Sequence, residues 1–368
     1  MTIATRLPEY PWDELAPIRE KARAFPAAVV DLSIGTPVDS VPPVIQQALK
    51  AAADAPGYPS TAGTAALRAA AASWLARCHD VHVDADSVLP VIGTKEFIAW
   101  LPVMLGLGAG DAVLYPALAY PTYDIGARLA GAESVATDSL PEGPSAARLL
   151  WVNSPSNPTG RVLSAAQLRD AVAWARSRPG GCVLASDECY LELGWSVSPV
   201  SVLHRSVTHG SLDGVLGVFS LSTRSNLAGY RAGFVTGDPA LIAQLLLIRK
   251  QAGMMVPAPV QAAMTAALSD DEHALEQRAR YEARRAVLAA GLTAAGFRID
   301  HSEAGLYLWA TRPGLDCWAA CELLASECGI LVGPGSMYGP GGAEHIRVAF
   351  TATDERVAAA GARLRALA

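Results

Sequence analysis

Short apolar runs, each bounded by turn-forming residues, recur through the middle of the chain and predict buried β-strands. They occupy residues 87–92, 112–115, 149–153, 182–187, 215–220 and 232–237. Between them, amphipathic patterns with helical spacing predict α-helices over residues 64–77, 165–176 and 239–253. Alternating strands and helices are typical of an α/β protein whose parallel sheet is covered by helices.

The pattern changes after Pro257, where segments rich in Ala, Leu and Arg predict long helices such as residues 273–295. Two strand candidates follow, at residues 305–311 and 345–350. The carboxyl-terminal part of the chain therefore has an α+β pattern of its own.

These patterns predict two domains. We expect a large domain over residues 40–270 and a small domain made of residues 1–39 and 271–368. The compositionally biased segment 138–147 is predicted to be a surface loop.

Composition and charge narrow the class of protein. The chain has 368 residues, of which 51% are hydrophobic and 17% charged, as expected for a well-buried α/β enzyme. The formal net charge is −6 and no run of Lys or Arg occurs, which argues against a nucleic-acid partner.

The sequence also lacks signals for membrane insertion, secretion and metal binding. The apolar stretch 97–107 is too short to span a bilayer and contains Pro102, and residues 1–11 do not have the pattern of a signal peptide. The six cysteines form no Cys-x-x-Cys pair and have no histidine cluster beside them. We expect a cytoplasmic protein with reduced thiols, no membrane association and no metal.

One set of residues has the chemistry of a phosphate site. Gly93, Thr94 and Lys95 follow a predicted strand and precede a helical stretch, so their backbone amides would point at an anion. Ser220 ends another strand, and Arg231 follows eleven residues later. A hydroxyl and a guanidinium that converge with those amides would hold a dianionic phosphate.

A second set has polar groups at the ends of predicted strands. Asp187 ends the strand 182–187, with Tyr190 three residues on, and Asn157 lies in the segment Asn-Ser-Pro-Ser-Asn-Pro-Thr-Gly at residues 153–160. Taken alone, Asp187 would be read as the N-cap of a helix.

Residues 220–234 resemble the Ser-x-Ser-Lys-x-x-x-x-x-Gly-x-Arg-x-Gly segment of fold-type I aminotransferases, which use pyridoxal 5′-phosphate (PLP). The Asn-Pro-Thr-Gly at residues 157–160 is another specific mark of that family. The resemblance covers nearly the whole chain, at about eight motifs in the same order. It implies the PLP-dependent transferase fold, like that of aspartate aminotransferase, with a mostly parallel seven-stranded sheet and a small α+β domain.

The resemblance also implies a role for each site residue. The phosphate of the cofactor would be held by Gly93, Thr94, Lys95, Ser220 and Arg231. Asp187 would meet the pyridine nitrogen, Asn157 and Tyr190 the 3′-oxygen of the cofactor. Tyr120 would stack on the ring, with core packing as the alternative reading.

The same resemblance assigns the substrate side and a partner. Arg347 would bind the α-carboxylate of an amino or keto acid, and the backbone of Gly35 would meet the substrate in the cleft, where Asn157 also lies. Tyr58 would reach the cofactor phosphate of a neighbouring subunit, which implies a homodimer with a shared active site.

The chain departs from the family at one position. Thr223 stands where the family has the lysine that carries the cofactor as a Schiff base. Because a threonine hydroxyl cannot form that bond, PLP or pyridoxamine 5′-phosphate would be bound non-covalently, and transamination would be impaired or altered. Lys95 belongs to the phosphate side and is a poor substitute.

Among subgroups, the closest resemblance is to the actinobacterial succinyldiaminopimelate aminotransferases. It implies a succinyldiaminopimelate-like substrate, glutamate and 2-oxoglutarate as the amino partner, and a place in lysine biosynthesis or in secondary metabolism. Three explanations of Thr223 remain open: an engineered variant, a paralogue that uses the pocket for another reaction with Tyr190, Tyr58 or a substrate amine as base, and a non-catalytic binding protein.

Overall fold

The computed structural model describes residues 2–140 and 146–367. Its strands are β1 (Val30–Asp31), β2 (Val88–Ile92), β3 (Ala112–Tyr115), β4 (Glu133–Ala136), β5 (Ala147–Asn153), β6 (Val183–Asp187), β7 (Val215–Ser220), β8 (Ala232–Gly237), β9 (Arg298–Ile299), β10 (Tyr307–Thr311), β11 (Ile330–Leu331), β12 (Gly333–Pro334) and β13 (His345–Ala349). Each strand predicted from the sequence is present, with bounds that differ by two residues or fewer.

The α-helices are α1 (Ala16–Arg23), α2 (Pro43–Ala51), α3 (Ala65–His79), α4 (Thr94–Met104), α5 (Thr122–Ala130), α6 (Ala165–Arg176), α7 (Arg205–Thr208), α8 (Pro239–Ala252), α9 (Ala258–Ser269), α10 (Glu272–Ala294), α11 (Cys317–Cys328) and α12 (Asp354–Ala366). The four helices predicted by their amphipathic or Ala/Leu/Arg-rich patterns are among them. In the described residues, no helix has both the length and the apolarity of a membrane span.

A seven-stranded sheet forms the centre of the molecule, in the order β2-β8-β7-β6-β5-β3-β4. Neighbouring strands are parallel except at β8, which is antiparallel to β2 and to β7. Both faces are covered, so successive residues of one strand enter different cores. In β5, Leu150 and Val152 pack with α3, α6 and α9, whereas Leu149 and Trp151 pack with α4, α5 and α8.

Strand β4 has no counterpart in the prediction. It lies at the edge of the sheet, paired only with β3 within the described residues. Its four residues are exposed or half-buried, so Glu133 and Ser134 occupy positions that a buried strand would fill with apolar side chains. Of the predicted surface loop 138–147, residues 141–145 lie outside the described part of the chain.

A second sheet has the order β12-β13-β10-β9 and is antiparallel. It packs with α10, α11 and α12 in a core that also includes Ile18 of α1 and Leu32, which follows β1. Strand β1 pairs in parallel with β11. Both ends of the chain thus contribute to one core, although the predicted domain boundaries remain a prediction.

Candidate active site

Polar side chains meet at the carboxyl ends of β5 and β6. The register pairs Asn153 with Asp187, the last residues of these two strands. The Asn153 amide donates to the Asp187 carbonyl at 2.9 Å, and its oxygen accepts from the backbone N–H of Asn157 at 2.7 Å. The carboxyl ends of parallel strands are where open α/β sheets bind ligands, and Asn153 fixes the loop carrying Asn157 at that edge.

Asp187 is a buried carboxyl group with a defined orientation. The Tyr123 hydroxyl donates to its Oδ2 at 2.8 Å, and the Cys189 backbone N–H donates to its Oδ1 at 3.3 Å. Burial raises the pKa of Asp187, because a charge is poorly solvated in this environment. A cationic N–H group placed against this carboxylate would satisfy it, so the position fits the protonated nitrogen of a heterocycle.

The residues of the predicted anion cradle lie at the turn before α4. Gly93 has φ of +74°, and a Cβ at this position would collide with the guanidinium of Arg231. Burial and the nearby charge of Arg231 lower the pKa of Lys95. Within the described residues, neither Lys95 nor Arg231 is ion-paired with a carboxylate, so two cations are available to a dianion at a helix N-terminus.

Ser220 lies beside this cradle. It is paired with Gly233 of β8, and a Cβ at Gly233 would touch the methyl group of Thr94. The hydroxyl of Ser220 accepts from the backbone N–H of Ser222 at 3.1 Å. The structure therefore brings Ser220 and Thr94 together with Gly93, Lys95 and Arg231.

Thr223 is buried next to the same strand ends. Its hydroxyl donates to the Cys189 carbonyl at 3.5 Å, and its own carbonyl accepts from the Tyr281 hydroxyl at 3.4 Å. A small cavity beside it is lined by Glu188, Ser220 and other side chains. The hydrogen bond to the Cys189 carbonyl therefore places Thr223 next to the segment that directly follows Asp187.

None of the four lysines stands in for an amine at Thr223. Lys95 belongs to the turn described above, and Lys21 is ion-paired with Glu322. Lys50 and Lys250 are exposed on α2 and α8. The candidate site therefore contains one lysine, on its anion-binding side.

Arg347 supplies a buried cation to the other side of the site. Its Nη1 donates to Asn157 Oδ1 at 2.8 Å and its Nη2 donates to the Ser33 carbonyl at 2.7 Å. Its Nε is buried without a hydrogen-bond partner in the described residues. An arginine held by neutral acceptors keeps its charge available, so the site fits the carboxylate of a ligand.

Tyrosines line the space between Arg347 and the strand ends. The Tyr190 and Tyr307 hydroxyl oxygens are 3.2 Å apart, and a Cβ at Gly35 would collide with the hydroxyl end of Tyr307. Tyr120 lies with its ring edge-on to Tyr123, and burial raises its pKa to about 12. Tyr123 is also the hydrogen-bond partner of Asp187. The position of Tyr120 is therefore compatible with stacking on a ligand ring and with core packing, and both readings remain.

Tyr58 is the one predicted site residue that lies apart from the others. Its side chain is 99% exposed, and a Cβ at the preceding Gly57 would meet no atom within 4 Å. Sequence reasoning missed Tyr123, Asn153 and Tyr307. The first lies in the Tyr-Pro-Thr-Tyr segment at residues 120–123 and the second ends a predicted strand, so both signals were present in the sequence.

The chain is similar to known proteins over nearly its whole length. Residues 27–364 match the family model described as aminotransferase class I and II. The 4-dedimethylamino-4-oxo-anhydrotetracycline transaminase OxyQ of Streptomyces rimosus is 59% identical, over 97% of this chain and 99% of the relative. The "Probable aminotransferase Rv1178" of Mycobacterium tuberculosis is also 59% identical, over 98% of this chain and 86% of the relative.

A solved structure supports the same assignment. The N-succinyldiaminopimelate aminotransferase from Mycobacterium tuberculosis superposes on this chain with a TM-score of 0.88 and 27% sequence identity. The superposition covers 100% of both chains. The similarity therefore includes both sheets and the segments around them.

Proposed function

This chain belongs to the class I and II aminotransferases, a family of PLP enzymes, and on that premise we propose that it binds the cofactor without a covalent bond. The predicted α/β fold, like that of aspartate aminotransferase, is confirmed. When bound, PLP supplies the electron-withdrawing ring and the carbonyl group that amino-group chemistry needs. The protein supplies the contacts that hold and orient it.

The observation that carries this proposal is a pair of cations near the start of α4 that form no ion pair in the described residues. Lys95 and Arg231 lie together with no carboxylate partner among the described residues, and Gly93 leaves room for the guanidinium. A phosphate dianion would relieve the repulsion between the two charges and accept from the backbone amides at the helix N-terminus.

The ring side is supported by Asp187. Its raised pKa shows the cost of a buried carboxylate, and that cost falls when a cationic ring N–H donates to it. Asn157 and Tyr190 lie near this carboxylate and would donate to the 3′-oxygen. Tyr120 would cover the face of the ring. Together, these residues would keep the ring nitrogen protonated and fix the plane of the ring.

The substrate side is supported by Arg347. Its guanidinium is buried, held by Asn157 and Ser33, and free of any carboxylate partner in the described residues. We propose an amino or keto acid substrate whose α-carboxylate binds there, next to Gly35. Glutamate and 2-oxoglutarate are the proposed amino partners.

Thr223 separates this chain from an ordinary transaminase. Its hydroxyl is hydrogen-bonded to the Cys189 carbonyl and cannot make the bond that an amine makes with the cofactor. Near neutral pH it is also a weak base, and a positioned general base is worth about a hundredfold to ten-thousandfold in rate. We therefore propose slow or altered amino-group transfer.

Two substrate classes are proposed. A succinyldiaminopimelate-like amino acid is favoured by the full-length superposition on the mycobacterial enzyme. A ketone of a secondary-metabolite pathway is favoured by the 59% identity to the 4-dedimethylamino-4-oxo-anhydrotetracycline transaminase OxyQ. The second class would suit a paralogue that has kept the pocket and changed its reaction.

We also propose that the site is completed in a homodimer. A tyrosine side chain that is 99% exposed contributes nothing to the fold of its own chain. Tyr58 would reach the phosphate cradle of a second copy, where Lys95 and Arg231 lie.

The cofactor proposal is tested by absorption and by mass. Purified protein mixed with PLP should retain it on gel filtration, show the band of the free aldehyde, and keep the mass of the polypeptide after borohydride treatment. Thr223→Lys should gain the mass of one reduced cofactor, and Thr223→Met, of similar length without an amine, should not. A protein that retains no PLP or pyridoxamine 5′-phosphate, or a wild-type adduct on Lys95, would contradict the proposal.

Activity separates the explanations of Thr223. If Thr223→Lys transfers the amino group from glutamate rapidly, the pocket is otherwise that of a working aminotransferase. If Thr223→Lys takes up cofactor covalently and remains inert, the pocket serves another reaction or binding alone.

A further inference from the structure

Tyr307, the first residue of β10, lies between the cofactor side and the substrate side of the candidate site. We propose that it is a positioning residue for both, with its ring holding Arg347 and its hydroxyl holding Tyr190. The inference rests on the proposed function, because it assigns separate tasks to the ring and the hydroxyl of Tyr307 in the proposed cofactor and substrate site.

The strand register places Tyr307 beside Arg347. Trp309 is directly opposite Arg347 in the antiparallel pair of β10 and β13, and Tyr307 is opposite Ala349. Side chains two residues apart point to the same face of a strand, so Tyr307 is a diagonal neighbour of Arg347. This contact is therefore fixed by backbone pairing and does not depend on a loop.

The ring of Tyr307 covers one face of the guanidinium. The Arg347 Cζ lies 3.9 Å from the centroid of this ring and 4.7 Å from that of Tyr338. In the plane of the guanidinium, Asn157 and Ser33 accept two of its N–H groups. Contacts on the faces and in the plane together set the direction in which the remaining N–H groups point.

The hydroxyl of Tyr307 serves the other side. It lies 3.2 Å from the Tyr190 hydroxyl, and the two rings meet edge to face with centroids 5.9 Å apart. Gly35 leaves the space for this hydroxyl, since a Cβ there would collide with it. Tyr307 is 4% exposed, so water does not compete freely for the contact.

Because position 223 has no amine, the contact between Tyr307 and Tyr190 should matter for cofactor binding. A covalently tethered cofactor is held in place even when one polar contact is lost, whereas a non-covalent one depends on each contact. Tyr190 is a proposed contact of the cofactor, so the hydroxyl of Tyr307 should influence cofactor affinity, and its ring should influence carboxylate affinity.

Two substitutions separate these tasks. Tyr307→Phe keeps the ring over Arg347 and removes the hydroxyl, and Tyr307→Leu removes both. The matched control is Tyr115→Phe on β3, which deletes a tyrosine hydroxyl that lies 2.9 Å from the Ser134 hydroxyl. Circular dichroism and the unfolding midpoint check that each variant is folded.

The measurements are the Kd of PLP, by equilibrium dialysis, and the Kd of 2-oxoglutarate on the protein loaded with pyridoxamine 5′-phosphate, by calorimetry. Tyr307→Phe should weaken PLP about threefold to tenfold, as for one lost hydrogen bond, and leave 2-oxoglutarate within about twofold. Tyr307→Leu should also weaken 2-oxoglutarate about tenfold, as for a lost cation–π contact. Tyr115→Phe should change neither constant.

The outcomes distinguish the inference from the proposed function. If wild-type protein binds PLP and Tyr307→Phe binds it equally well, the inference is overturned and the proposed function stands. If Tyr307→Phe weakens both ligands in parallel, the side chain has a general structural role and the inference is again overturned. If wild-type protein binds no PLP, the proposed function fails and the inference fails with it.

Discussion

Glu188 is a buried carboxyl group whose ionisation should make the stability of the protein depend on pH. It follows Asp187 at the end of β6 and is 2% exposed. Its Oε1 accepts from the Val202 backbone N–H at 2.6 Å, whereas its Oε2 is buried without a hydrogen-bond partner in the described residues. Burial raises the pKa of Glu188 from 4.5 to about 7. The substitution Glu188→Gln keeps an acceptor for Val202 and removes the charge.

The sign of the effect follows from proton linkage. The folded state binds a proton on Glu188 between pH 4.5 and about 7, where the unfolded chain has lost it. The contribution of Glu188 to the free energy of unfolding is therefore highest below pH 4.5. It falls as the pH rises to about 7 and is constant above that. A difference of this size in pKa corresponds to roughly 3 kcal/mol.

The assay is urea unfolding of both proteins at several values between about pH 5 and about pH 8. As the pH rises across this range, the free energy of unfolding of Glu188→Gln relative to wild type should increase by roughly 2 to 3 kcal/mol. The reason is that only wild type must ionise a buried carboxyl group. Glu133→Gln, at an exposed position of β4, is the control and should give a constant difference. Parallel stability curves for wild type and Glu188→Gln would contradict a raised pKa of Glu188 in the folded protein.

Two further substitutions test the phosphate cradle and the ion pairs of α10. Gly93→Ala should weaken PLP binding about tenfold, because the new Cβ displaces the Arg231 guanidinium; Gly106→Ala has the same sign of φ with open space around it and should leave the Kd unchanged. Asp39→Ala removes a carboxylate that accepts from Arg284 at 2.6 and 2.7 Å, and leaves that buried arginine with fewer partners. It should lower the free energy of unfolding by about 3 kcal/mol, and a loss below about 1 kcal/mol in urea unfolding would contradict this.

The central sheet was predictable because its strands are buried on both faces. A strand buried on both faces is apolar along nearly its whole length, as in β7, where only the last residue, Ser220, has a polar side chain, so the sequence shows a continuous run. Edge strand β4 pairs only with β3 in the part of the chain that the structure describes, which relaxes that requirement, and Glu133 fits there at no cost in burial. The strands β1 and β11 have only two residues each, too few to show a pattern, and their pairing depends on residues 300 positions apart in the chain.

The candidate site was predictable where its residues are close in sequence. Gly93, Thr94 and Lys95 are consecutive, and Asp187 ends a strand with a clear pattern. The partners of these residues were not predictable in the same way. The Tyr123 hydroxyl reaches Asp187 from 64 residues away, and the tertiary fold alone creates that contact.

The segment after Thr223 is held by contacts with the start of the carboxyl-terminal part of the chain. Arg224 is ion-paired with Asp271 at 3.2 Å, and Asn226, with φ of +56°, donates to Gln277 at 3.0 Å. Asp271 is the N-cap of α10 and Gln277 lies within its first two turns, in the part of the chain that follows the large sheet. Because protein contacts fix the backbone on this side of Thr223, a cofactor need not order it. This side of the pocket is therefore ordered before a ligand binds, which lowers the entropic cost of binding.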